Sequence, residues 1–337
     1  MNCDVLHQVS PIGHGDSIHV PLTNTRLEAV SIVLSRIYSG TVDQYSSKLL
    51  TLAVEAILFT TDIGRLDLAI FILDHFCPHI LEARFEKFFG CTLLCIAATE
   101  PNGADLVRHL IQERHCHALT PNPAFLGASA IHFAVTFNRH HTVDVLLECD
   151  PSLIDARDWA DRTPLCVAAE YGNVAITQQL IVKHGADPFC EAGSSIAICF
   201  AIDSGRLNVV KYLLNHDRSM LHYKDDDGET LLARAAMSSF PEAADIIQHL
   251  VIVEGIDVDE RDSAGFTPLQ LAAMFGETPS IMETLVNLGA DIEAKIADTC
   301  QDIELQGKTI FDLDFINENA KRFLLCLKHV KRSKQHC

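Results

Sequence analysis

The sequence predicts an all-α solenoid of about seven to eight helix–turn–helix units joined by short hairpins and closed by helical caps. Three observations carry that prediction. A motif written most fully as Asp161-Arg162-Thr163-Pro164-Leu165-Cys166-Val167-Ala168-Ala169, then Gly172, Leu180-Ile181 and Gly185-Ala186-Asp187, returns along almost the whole chain. Its copies are nearly evenly spaced. Each copy also carries apolar residues at helical intervals, as in Val209-Val210 and Tyr212-Leu213-Leu214.

In chain order, residues 1–22 hold Pro11, Gly13, Gly15 and Pro21 without a helical period, and read as extended or loop. Thr25-Arg26-Leu27-Glu28 reads as a capping box that opens a helix through about Tyr38. That helix falls outside the repeat, and its expected role is to cover the apolar face of the first unit. These segments form an N-terminal extension and capping helix, 1–48. The first copy places Gly64-Arg65-Leu66-Asp67 and Ile70-Phe71-Ile72-Leu73 where Gly172 and Leu180-Ile181 stand later. Anchors then fall at Thr92, Ser129, Thr163, Ser195, Thr230, Thr267 and Thr309, separated by 37, 34, 32, 35, 37 and 42 residues. The repeats occupy 49–325 and end on a capping copy around Gly307-Lys308-Thr309. From Lys321 onward the chain has six cations and no acid, and 326–337 reads as a basic tail. It is either a docking or localisation signal or a solvated helix end favoured by the helix dipole.

The residue types suit this design. Thr or Ser before the apolar run accepts from free N–H groups of the first helical turn, and Pro fits that turn without losing a bond. Paired alanines let two helices approach. Gly172, Gly205 and Gly276 are expected to end first helices in a left-handed conformation. Arg234 stands where the copy at Thr267 has Leu271. It needs a buried carboxylate partner, unless the helix rotates and leaves it on the groove.

The pattern resembles the ankyrin repeat family. Residues 161–187 match it almost throughout, and Gly265-Phe266-Thr267-Pro268-Leu269-Gln270-Leu271-Ala272-Ala273 with Leu288-Gly289-Ala290-Asp291 match nearly as well. The resemblance implies a non-enzymatic scaffold that binds a partner protein through hairpin tips and the concave face of its first helices. Carried over by position, the tips are Phe125 and Leu126, Trp159 and Ala160, Glu191 and Ala192, Asp226 and Asp227, and Ser263 and Ala264. Phe137, Tyr171, Asp203 and Phe275 would face the groove. The contact set is Trp159, Arg162, Tyr171, Phe137, Phe125, Asp226, Asp227, Phe266 and Phe275. Trp159, the sole tryptophan, is either a binding hot spot or a ring laid flat on the neighbouring hairpin.

A net charge of −19 argues against nucleic acid as a partner. Asp150, Asp155, Asp158, Asp161, Asp225, Asp226 and Asp227 make the central tips acidic and favour a partner with a basic face or peptide. The twelve cysteines are scattered, and Cys95, Cys166 and Cys199 fall where the repeat wants a small apolar group. They read as reduced core thiols in a reducing compartment. The start has neither a basic n-region nor an apolar h-region, and the apolar stretch near Leu49–Thr60 is broken by Glu55. Together these features describe a cytoplasmic monomer without a membrane span.

No cofactor or metal is expected. Gly307-Lys308-Thr309 lacks the first glycine of a phosphate loop, having Asp302 there, and the calcium-loop pattern around Asp225 fails at Tyr223 and Arg234. Gly15-Asp16-Ser17-Ile18-His19 lacks the second glycine of a nucleophile elbow. His75, Cys77 and His79 recur one repeat later as His115, Cys116 and His117. Surface or part-buried side chains are the default reading, and a zinc site or Cys–His dyad the other. The alternative function is therefore a cysteine hydrolase or transferase using Cys77 and His115 or the N-terminal segment. Irregular repeats rich in His and Cys are also similar to ankyrin effectors that intracellular bacteria deliver into host cytoplasm.

Overall fold

Helices form where the repeat concentrates its apolar residues. The computed structural model describes residues 24–40, 46–76, 79–276, 278–298, 300, 302, 304–313, 316 and 320–326. The expected loop at 1–22 and all but the first residue of the basic tail lie outside these. The chain divides into two compact units, Met1–Pro164 and Leu165–Cys337.

The first unit holds α1 (Asn24–Tyr38), α2 (Ser47–Asp62), α3 (Leu66–Phe76), α4 (His79–Glu82), α5 (Leu93–Thr99), α6 (Ala104–Gln112), α7 (Ala130–Thr136) and α8 (His140–Cys149). α1 packs on α2 and α3, and Ala29 and Val33 are fully buried. α5 stacks on α7 and α6 on α8. The second unit holds α9 (Pro164–Glu170), α10 (Val174–Gln178), α11 (Ala197–Asp203), α12 (Leu207–His216), α13 (Leu231–Met237), α14 (Ala243–Gln248), α15 (Pro268–Phe275) and α16 (Pro279–Leu288). Here α11, α13 and α15 form one row and α10, α12, α14 and α16 another. Buried alanines, among them Ala97, Ala134, Ala201, Ala235 and Ala272, leave room for the close approach of the paired helices. Hairpins between copies close on isolated antiparallel pairs such as Asn122–Ala128 and Lys224–Thr230, and no longer strand occurs among the described residues.

The anchors cap as expected at Thr92, Thr230 and Thr267, whose hydroxyls accept from Cys95, Ala233 and Gln270 amides. Three expectations change. In the fifth copy the helix cap is Ile196 and not Ser195, so the spacings of 32 and 35 become 33 and 34. Ile196 cannot cap, and the Ser195 hydroxyl instead accepts from Arg234 at 3.0 Å. Gly276 is extended, at φ −74°, whereas Gly172 and Gly205 are left-handed at 77° and 71°. Thr309 opens only a 3-10 turn, Ile310–Asp312. Two second helices also run on as π turns, Gln179–Lys183 and His249–Val253, which the sequence pattern does not announce.

Two polar bridges tie successive copies within a unit. His132, three residues past its cap, accepts the Ser129 N–H on Nδ1, while its Nε2 lies 3.2 Å from Arg162 O in the next hairpin. A carbonyl only accepts, so the proton sits on Nε2 and the ring is neutral. Gln270 does the same with an amide, accepting from Thr267 N at 2.8 Å and donating to Ala294 O at 2.9 Å. At the other end of the first helices, Arg139 donates to Thr99 O and Arg206 to Glu170 O, at 2.5 and 2.9 Å. These are terminal carbonyls of the preceding copy's helix, which lack an intrahelical donor.

Arg234 is paired rather than presented. It is 17% exposed and meets Asp203 and Asp225 at 2.7 Å each. Burial works against its charge, but the two carboxylates raise its pKa above the ordinary arginine value. The cluster replaces an aliphatic contact with a three-way ion pair inside the second unit.

Two outcomes are expected. Burial holds the His132 pKa below 6.5, with the bond to Arg162 O and then Asp158 only partly opposing it. Its neutral form thus stabilises fully above the unfolded value, and the stability fades as pH falls below it because the unfolded chain takes up the proton. H132Q, copying Gln270, should lose less stability than wild type between about pH 7 and pH 5 in thermal melts, and equal slopes would contradict the bridge. Arg234→Ala should cost about 3 kcal/mol in denaturant unfolding, near the low end for a broken buried pair because Asp203 is partly solvated.

Candidate functional site

The hairpins take their shape from an aspartate five residues before the anchor. Asp158 accepts the N–H groups of Ala160 and Arg162, both at 2.9 Å, and pairs with the Arg162 guanidinium at 2.7 Å. Asp225 accepts from Glu229 N and Asp262 from Phe266 N, each at 2.8 Å. A side-chain acceptor thus closes each loop on the amide just ahead of the anchor. Asp158, Asp225 and Asp262 are all buried, so the first two belong to the framework and not to an acidic surface. Asp161 is spent on Arg157 at 2.7 Å, and Asp226 and Asp227 remain exposed.

Trp159 lies against the neighbouring hairpin, as one of its two readings expects. Its N–H donates to Leu126 O at 2.6 Å, and its indole lies so close over Gly127 that a Cβ there would come within 2.4 Å of Cδ1. The ring is nonetheless 62% exposed. Phe125 is half-buried, set edge-on to Phe133 at 5.3 Å and to Phe89 at 5.8 Å. Phe137, Tyr171 and Phe275, at the ends of first helices, are 44%, 40% and 60% exposed. Arg162 is largely covered by its pairing with Asp158. Phe266 is only 8% exposed: with its amide held by Asp262, its apolar ring turns into the stack and offers no contact surface.

Sequence reasoning missed Phe89. It is 66% exposed at φ 52°, and Leu126, 46% exposed at φ 50°, occupies the same position in the next hairpin. A left-handed bulky residue costs about 1–3 kcal/mol. The signal was available, since each stands just before a glycine and three residues before its anchor. Val182, Ile252 and Val253, exposed on the π turns, were also missed.

The Cys–His cluster gains no support. Cys77 lies outside the described residues, and His75 Nδ1 is 2.8 Å from Phe71 O. Among the described residues no group of three or more His, Cys, Asp or Glu could hold a metal ion. Burial pushes the thiols of Cys91 and Cys199 up to about 12 and about 11, so both are protonated and poorly nucleophilic at neutral pH. No helix among the described residues is long and apolar enough to cross a membrane.

The chain is similar to several known proteins. The profile for ankyrin repeats in three copies matches 93–192, 165–262 and 198–296. A palmitoyltransferase, AKR1, of Lachancea kluyveri is 29% identical over 174 residues, 50% of this chain and 23% of that protein. A putative ankyrin repeat protein of Rickettsia felis is 27% identical over 203 residues, 51% of this chain and 50% of the relative. The chain thus spans half or less of the length of these relatives. The crystal structure of the human ASB11 ankyrin repeat domain shares the fold at TM-score 0.52 and 20% identity, covering 69% of this chain and 96% of that one. The matched profile, the stacked helix pairs and the capped anchors agree: the chain belongs to the ankyrin repeat family.

Proposed function

We propose that the chain is a non-enzymatic recognition module that binds a partner protein through its hairpin tips and first-helix ends. The observation that carries this reading is Trp159, held in place by backbone and glycine contacts yet 62% exposed. Rigid exposed aromatics bind at low entropic cost. Tyr171, Phe137, Phe125 and Phe275 extend the contact set, and exposed Asp226 and Asp227 favour a basic segment on the second unit. The organisation proposed is an extension and cap through residue 48, repeats over 49–325 and a basic tail from 326.

Buried Cys95, Cys166 and Cys199 outside any disulfide favour a reducing compartment such as a cytoplasm, and the chain is read as a monomer. The transferase activity of the Lachancea protein is not carried over, because the chain covers 23% of it. Quantitative affinity capture from a cell lysate, comparing wild type with Trp159→Ala plus Tyr171→Ala, tests the reading. Proteins lost with the double variant, at unchanged helix content, are the expected result. Equal recovery of every protein would remove these tips from recognition.

A further inference from the structure

Three successive hairpins of the first unit place Phe89, Phe125, Leu126 and Trp159 in one apolar strip. Phe125 touches Phe89, and Trp159 is bonded to Leu126. Three properties of this strip define what it can hold.

Its backbone is already used. Phe89 N donates to Glu86 O, Gly90 N to Phe85 O, Gly127 N to Asn122 O and Asp161 N to Asp158 O, while Leu126 O accepts from Trp159. A partner strand would find few free donors, which disfavours recognition by strand addition. Its cations are also engaged. Arg84 donates to the carbonyls of Gly90 and Pro121, Lys87 pairs with Glu55, Arg157 with Asp161 and Arg162 with Asp158. The charged side chains of residues 84–91, 121–128 and 157–162 sum to one positive charge, on a chain of −19. Finally, Phe89 and Leu126 are shown to solvent from a left-handed backbone that glycine would adopt without strain. Folding alone does not call for large apolar residues there.

We propose that this strip binds an uncharged, proline-rich extended segment of a partner protein. Proline lacks an N–H and the polyproline helix makes no internal hydrogen bonds, so such a segment loses little by meeting a surface without free backbone groups. Aromatic side chains receive it through apolar contact. The inference rests on the proposed recognition function and names the partner chemistry of one surface.

Because Trp159 is the sole tryptophan, its emission reports binding directly. The probe is a capped peptide of about twelve residues of repeating Pro-Pro-Ile, roughly 37 Å long as a polyproline helix. It is compared with a Lys-rich peptide of equal length, at about 0.05 and 0.5 M salt. The expected result is a saturable blue shift with the proline peptide that is unchanged by salt. F89G should weaken that binding about tenfold while raising the melting temperature, because it removes a contact and relieves the backbone. No shift with the proline peptide, or equal affinity in F89G, overturns the proposal. A salt-sensitive shift with the Lys-rich peptide alone also overturns it, yet leaves the recognition function standing. A shift that appears on concentrating the protein by itself assigns the strip to a second copy and overturns the proposal.

Discussion

Side-chain donors that reach a carbonyl of the neighbouring copy set the terms for everything else in this fold. His132 and Gln270 act at the start of a first helix, and Arg139 and Arg206 act at its end. The Arg139 and Arg206 bonds serve helix-end carbonyls that lack an intrahelical donor, while Arg162 O also accepts from Asp158 N at 3.2 Å. An unserved buried carbonyl would cost more than the bond returns. Apolar burial supplies the drive for stacking, but burial is not directional. The bridges fix the rotation of one copy on the next, and thereby which residues of each hairpin point outward.

That constraint is why the proposed recognition is assigned to side chains. Hairpin amides are consumed by Asp158, Asp225 and Asp262, and tip carbonyls by the following hairpin, as in Trp159 on Leu126 and Ser263 on Gly228. Little backbone is left to read a partner. What remains exposed are the tip side chains, with Phe89, Leu126 and Trp159 on the first unit's hairpins and Asp226 and Asp227 on the second unit. One framework thus carries two surfaces of different chemistry, and the fold alone does not decide which partner each one meets.

The framework was legible in the sequence because its signals are local. Thr, Pro, paired Ala and left-handed Gly each have a steric or hydrogen-bonding reason at a fixed offset, and those reasons do not depend on distant residues. The failures came where a residue's role is set by a partner far along the chain. Ser195 looked like a cap because the type suits one, but Arg234, 39 residues away, claims its hydroxyl. Asp158 and Asp225 looked like surface charge, since composition cannot separate a buried acceptor from a solvated acid. Phe266, expected in the contact set, is buried, and residue type alone does not separate a core ring from a contact ring. Phe89 is marked only by its place, just before Gly90 and three residues ahead of Thr92, and not by its residue type, because glycine is what a left-handed turn normally takes.

Clipped by their buried aspartates, the hairpins are as firmly built as the helices they join. Residue-resolved native-state amide hydrogen exchange tests it at Arg162, Glu229 and Phe266, the amides held by Asp158, Asp225 and Asp262. They should open with the same free energy as helix amides of their own unit, Phe133 for the first and Arg234 and Leu271 for the second. Exchange at open-loop rates beneath protected helices would contradict it.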